Sequence, residues 1–161
     1  MNRLRRILLL TAALAATFSL AARAAHAADP LVGTWSLNVD KSTFKPAPGP
    51  KGQVRTYALS GDGVEKMTAR GVSAEKKPTF VRYEARYDGK DYDITGSTGG
   101  DKISLRRIDA LTTKSSQKRD GKTAIVATRK VSSDGKTLTV VSKGTTSNGQ
   151  VLDSTLVFER H

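Results

Sequence analysis

The sequence predicts an all-β fold, an up-and-down antiparallel meander closed into one barrel of about eight to ten strands. Three observations carry this reading. Two-residue turn signals recur at short intervals: Asp62-Gly63, Asp88-Gly89, Gly99-Gly100, Asp120-Gly121, Asp134-Gly135 and Asn148-Gly149. Asn-Gly and Asp-Gly tolerate the positive φ that tight hairpin turns demand. The runs between them are short and rich in Val, Ile, Thr, Tyr and Phe, which fit a pleated backbone. After the first 27 residues no stretch holds a sustained 3.6-residue apolar period, so no long helix is expected.

The strand candidates follow in order. The first spans 32–39 and opens Leu31-Val32-Gly33-Thr34-Trp35-Ser36-Leu37. A link at 40–52 comes next, holding Pro46, Pro48 and Pro50, which resist both helix and ladder pairing. Such a segment runs extended over the surface, either as a plain crossover or draped across one barrel opening. The second candidate, 53–60, places Arg55, Tyr57 and Leu59 on one face. The third, 63–70, follows Asp62-Gly63 and contains Met67. In the fourth, 79–88, Val81, Tyr83, Ala85 and Tyr87 alternate with Arg82, Glu84 and Arg86.

Candidates at 91–96 and 101–108 flank Gly99-Gly100, and the second of them puts Ile103, Leu105 and Arg107 on one face. Candidates at 111–119, 122–132 and 136–144 are joined across Asp120-Gly121 and Asp134-Gly135. The last, 150–160, aligns Leu152, Ser154, Leu156 and Phe158 against Asp153, Thr155 and Glu159. Short links favour sequential neighbours, and closure removes exposed sheet edges. Burying each large apolar side chain contributes roughly 1.5–3 kcal/mol, so the apolar faces should point inward.

The first 27 residues read as an address. Arg3, Arg5 and Arg6 precede a mainly apolar run from Ile7 to Leu20, and Ala25-His26-Ala27 supplies a small-x-small cleavage pattern. The run falls short of the roughly 20 residues of a membrane-spanning helix, and no Cys sits at the cut for lipid attachment. The expectation is a cleaved secretory signal over 1–27, a single domain over 28–161, and a periplasmic or secreted protein. The whole chain has 27 basic and 15 acidic residues. Without Arg3, Arg5, Arg6 and Arg23, 23 basic residues remain and the net charge is near +8. Cysteine is absent, so a packed core must hold the domain without disulfides.

Composition leaves catalysis poorly supplied. His26 belongs to the leader and His161 ends the chain, so no histidine is placed for acid–base work. There is no thiol nucleophile and no His/Cys set for zinc, and no serine sits in a recognisable triad pattern. Asp88, Asp91 and Asp93 cluster but lack calcium-loop spacing, and hairpin-turn solubility accounts for them. No cofactor or metal is expected. An enzyme would need carboxylates such as Glu65 or Glu84 turned into the lumen.

The Gly33-x-Trp35 element opening an all-β meander resembles that of lipocalins and fatty-acid-binding proteins, the calycin group. The ending Thr155-Leu156-Val157-Phe158-Glu159-Arg160 resembles the closing strand of the fatty-acid-binding branch. The chain is also similar to small exported bacterial proteins of lipocalin-like shape. The resemblance implies that Trp35 packs across the closed end of the barrel, with Arg160 or Arg129 as its cationic partner. It does not carry the ligand site: the R-x-Y pair that holds a fatty-acid carboxylate falls here on Leu156 and Phe158. The two-helix lid of that branch is replaced by the proline-rich link.

The expected function is non-enzymatic binding of a small apolar or amphipathic ligand, with Arg55, Tyr57, Met67, Tyr83, Tyr87, Arg107, Leu156 and Phe158 at the ligand. Arg55 and Arg107 are inward-reading charges near strand ends, and either snorkel to water or meet a ligand carboxylate or phosphate. The alternative is a barrel filled by its own side chains that works through its basic exterior on anionic envelope polymers or a protein partner. A monomer is expected, with no specific nucleic acid. The outward charges Arg82, Glu84 and Arg86 disfavour a membrane-spanning barrel.

Overall fold

Ten antiparallel strands close into one barrel in the computed structural model, which describes residues 29–161. The leader expected at 1–27 lies outside the described residues. The strands are β1 Gly33–Thr43, β2 Gly52–Leu59, β3 Val64–Val72, β4 Pro78–Arg86, β5 Tyr92–Thr95, β6 Lys102–Arg107, β7 Thr112–Arg119, β8 Lys122–Val131, β9 Thr137–Thr145 and β10 Val151–Arg160. Every strand pairs with its neighbours in sequence, and β1 closes the cylinder against β10. All ten overlap the strand candidates read from the sequence, and the turn signals fall in six of the nine links between them.

The largest difference is at β1, which runs on to Thr43 through a bulge between Asn38 and Thr43. Ser42 makes this extension possible. Its hydroxyl donates to Asn38 O at 2.6 Å and accepts from Val157 N–H at 2.9 Å, replacing the ladder bond that the bulge interrupts. Leu59, expected inward with Arg55 and Tyr57, is 41% exposed. The register of β1 ends at Gly33 opposite Tyr57, so β2 continues past its neighbour and nothing covers Leu59.

The packed core sits toward one end of the cylinder. Trp35, Ala85, Leu105, Val131, Leu138 and Phe158 are fully or almost fully buried there. Leu31 caps them, with Trp35 Nε1 donating to Leu31 O at 2.9 Å. Arg160 seals the end from outside: its guanidinium lies 4.2 Å from the Trp35 ring centroid and donates to Val32 O, Pro30 O and Gly135 O. Of the two partners expected for Trp35, Arg160 is the one it meets. Gly33 makes room for this contact. Its φ is +138°, and a Cβ there would sit 2.5 Å from Arg160 Nη1.

One side chain thus ties the start of β1, the β8–β9 turn and the end of β10 together. Arg160→Met keeps the apolar stem and removes three charge-assisted bonds and the stacked cation. Unfolding free energy from urea titration should fall by roughly 2–4 kcal/mol. A loss below about 0.5 kcal/mol, the scale of an ordinary surface substitution, would show that the seal does not hold the closed end.

Candidate functional site

The opposite half of the barrel is not filled by its own side chains. A cavity of about 440 Å³ occupies it, within the range of small-molecule sites. Met67, Val81, Ile94, Ile103, Val140 and Leu156 supply much of its apolar wall. These residues alternate with outward positions along their strands, so the two-residue period of the sequence puts them there.

The proline-rich link lies at the mouth. Phe44, Pro46, Pro48 and Pro50 line the cavity, so this segment is both a crossover and a cover. Its first turn is tied to β10. Lys45 N–H donates to Ser154 Oγ at 3.0 Å, and Asp153 N–H donates to Lys45 O at 3.0 Å. Gly49 lies flat on the Phe44 ring, since a Cβ there would be 2.2 Å from Phe44 Cγ. On the far side of the mouth, Arg119 donates to Thr98 O and Thr146 O, joining the β5–β6 and β9–β10 links.

Of the eight residues expected at a ligand, Arg55, Tyr57, Met67, Tyr83 and Leu156 line the cavity. Tyr87, Arg107 and Phe158 do not. Tyr87 and Arg107 stand at the closed end, where β4 and β6 finish. Arg107 pairs with Asp29 and stacks 4.4 Å from the Tyr87 ring centroid. Strand parity assigned its face correctly but could not say at which end of the barrel the side chain finishes. Phe158 is fully buried in the floor, with the Arg55 guanidinium 4.6 Å above its ring.

Arg55 is half-buried and has no ion-pair partner among the described residues. Its Nε donates to Gln53 Oε1 at 2.7 Å. It therefore presents a cation without an ion-pair partner among the described residues, in a chamber where Gln53, Ser115 and Gln117 stand beside the apolar wall. Such a group attracts a carboxylate, sulfate or phosphate.

Sequence reasoning missed the most polar feature of the interior. Arg129 from β8 and Glu65 from β3 are each 3% exposed and form an ion pair at 2.7 Å. Arg129 Nε donates to Thr113 Oγ1 at 2.8 Å, and Nη1 also donates to the Tyr83 hydroxyl at 2.8 Å. Tyr83 donates to Glu65 Oε1 at 2.5 Å and Tyr87 to Glu65 Oε2. The Arg129 guanidinium also stacks 5.3 Å from the Tyr57 ring centroid. Parity held the signal: Glu65 shares a face with Met67 and Ala69, and Arg129 with Ile125, Ala127 and Val131. Of the two carboxylates that an enzyme would need inside, Glu65 is interior and Glu84 points out beside Lys66.

Burial raises the Tyr83 hydroxyl well above its ordinary pKa, and Glu65 beside it adds to the rise while Arg129 opposes it. The same causes, burial first, raise Tyr87. Both therefore stay protonated as donors to Glu65. Burial works against the charge of Arg129, but its neighbours Tyr83 and Glu65 outweigh it and hold the guanidinium ionised.

The acidic cluster is used differently. Asp88 accepts from Lys90 N–H and the Tyr92 hydroxyl, Asp91 pairs with Lys118, and Asp93 with Lys102. A second cavity, of about 760 Å³, opens on the outside where β4 and β5 share only two registered pairs. Lys66, Arg82, Glu84 and Lys102 line it beside Phe80.

Solved structures share the architecture. The fluorescent protein UnaG superposes with a TM-score of 0.54 at 15% identity, covering 81% of this chain and 96% of UnaG. Zebrafish ileal bile acid-binding protein, solved with cholic acid, gives 0.48 at 13% identity, covering 82% and 99%. No protein-family model and no curated protein matches the chain. What the likeness to UnaG shows is the shared barrel fold.

Two outcomes test the interior network. Glu65→Leu should cost about 3–5 kcal/mol, because Arg129 is left charged and buried, whereas Glu65→Leu with Arg129→Met should recover most of that loss. Equal destabilisation by the single and double variants would mean the pair is not coupled. The tyrosines predict alkaline instability. In the unfolded chain they titrate near the ordinary 10.0, and in the fold they do so higher. Their contribution is thus complete below about pH 10 and lost as pH rises toward their folded values, at up to about 1.4 kcal/mol per pH unit for each. Tyr87→Phe should flatten that fall by about one proton, measured by urea titration across the alkaline range.

Proposed function

We propose that the protein is a non-enzymatic carrier whose barrel takes up one small amphipathic molecule, apolar in its body and anionic at one group. The observation that carries this reading is Arg55, a cation without a carboxylate partner among the described residues, in the wall of a cavity of about 440 Å³ whose lining is part apolar and part polar. Met67, Leu156 and Tyr57 would pack the apolar body, and the guanidinium over Phe158 would take the anion. The proline-rich link, which brings Phe44, Pro46, Pro48 and Pro50 into the lining, would lie against part of the bound molecule.

Export belongs to the same proposal. The Arg-rich start, apolar run and Ala25-His26-Ala27 pattern support removal of residues 1–27 and a periplasmic or secreted site of action. No helix among the described residues is long and apolar enough to cross a membrane. The outward Arg82 and Glu84 are exposed, which suits water better than lipid.

Native purification, organic extraction and mass spectrometry test the carrier reading, and the intact mass shows whether the chain begins near Ala28. A stoichiometric lipophile is expected. Arg55→Gln should weaken binding of an anionic amphiphile by about tenfold or more while leaving displacement of a neutral dye unchanged. A protein that extracts empty, binds no apolar dye and instead binds anionic polymer at low salt would support action through the basic exterior.

A further inference from the structure

Among the described residues, Arg129 Nη2 is buried without a hydrogen-bond partner. The other two nitrogens of this guanidinium are engaged by Thr113, Glu65 and Tyr83. Arg129 is 3% exposed and lines the cavity that Arg55 also lines. A buried N–H left unpaired is unfavourable, and an oxygen brought in by a ligand would relieve it.

That oxygen could be anionic or neutral, and the local charge decides between them. The Glu65 carboxylate already faces Arg129 at 2.7 Å and accepts from both Tyr83 and Tyr87. A second carboxylate at Nη2 would set two anions around one guanidinium, in a place where water screens little. A carbonyl or hydroxyl oxygen satisfies Nη2 without adding charge. Arg55 has no such neutralising partner, so an anion is better placed there.

We propose that Arg129 selects a ligand with a neutral acceptor oxygen at its buried end, a ketone, amide or alcohol, and that any anionic group stays with Arg55. This rests on the carrier reading and adds a polarity and an orientation to it. It also assigns Arg129 and Glu65 as a specificity pair, Glu65 acting by cancelling the charge that would otherwise attract an acid.

The test uses Nile red displacement by dodecanamide and by dodecanoic acid, which share chain length and differ in charge at about pH 8. Measurements on Arg55→Gln remove the competing attraction of that cation. Dodecanamide should bind at least about tenfold more tightly than dodecanoate. Adding Glu65→Gln leaves Arg129 unneutralised, and the preference should shift toward dodecanoate by about tenfold or more. Equal or tighter binding of dodecanoate in Arg55→Gln would overturn the proposal, as would an unchanged ratio after Glu65→Gln.

If the doubly substituted protein does not fold, infrared spectra of dodecanamide with an isotope-labelled carbonyl, bound to the unsubstituted protein, decide the matter. A carbonyl stretch lowered by a charged donor is expected, and one at its apolar-solvent position would overturn the proposal. Failure of both probes to displace Nile red from the unsubstituted protein would remove the carrier reading itself, whereas a reversed preference overturns only the selectivity.

Discussion

Closure of β1 against β10 sets the terms for everything else in this molecule. Ten strands joined in a ring leave little free sheet edge beyond the short β4–β5 and β5–β6 seams, but they also fix a circumference that inward side chains of ordinary size do not fill. The surplus volume has to go somewhere. Here it is divided: one end is packed solid around Trp35 and Phe158, and the other keeps a cavity under a proline-rich cover. Stability and binding capacity are thus assigned to opposite ends of one cylinder.

The division explains why arginines recur at ring faces. Arg160 over Trp35, Arg107 over Tyr87, Arg55 over Phe158 and Arg129 near Tyr57 each place a planar cation on an aromatic. Their settings differ, and so do their consequences. Arg160 and Arg107 lie at the closed end, with backbone carbonyls or Asp29 to satisfy them. Arg129 is neutralised by Glu65 deep inside. Among the described residues, Arg55 and the exposed Arg70 over Phe80 are the stacked cations that meet neither a carboxylate nor a backbone carbonyl, and of the two only Arg55 lines the cavity.

The Glu65–Arg129 pair also shows how an interior can be polar without being unstable. Desolvating two opposite charges is costly, but Thr113, Tyr83 and Tyr87 supply most of the hydrogen bonds that water would have made. Burial keeps both tyrosines as phenols, so the donors that hold Glu65 are fixed across the neutral range. One donor of Arg129 remains without a partner among the described residues.

The order of the strands, their alternation and the closed meander follow from local chemistry in the sequence. Asp-Gly and Asn-Gly dictate where the chain reverses, and a period of two dictates which side chains turn inward. Arg55, Tyr57, Met67, Tyr83 and Leu156 were legible at the cavity for that reason. Parity, however, has no knowledge of height along the barrel axis. It could not separate Arg107 and Tyr87 at the closed end from Arg55 in the cavity wall, nor show that Leu59, which it turns inward, is left exposed where β2 runs past β1. Meetings between strands distant in sequence lay beyond it as well. Glu65 and Arg129 are 64 positions apart, and only the wrapping of β3 and β8 around a shared interior makes them a pair.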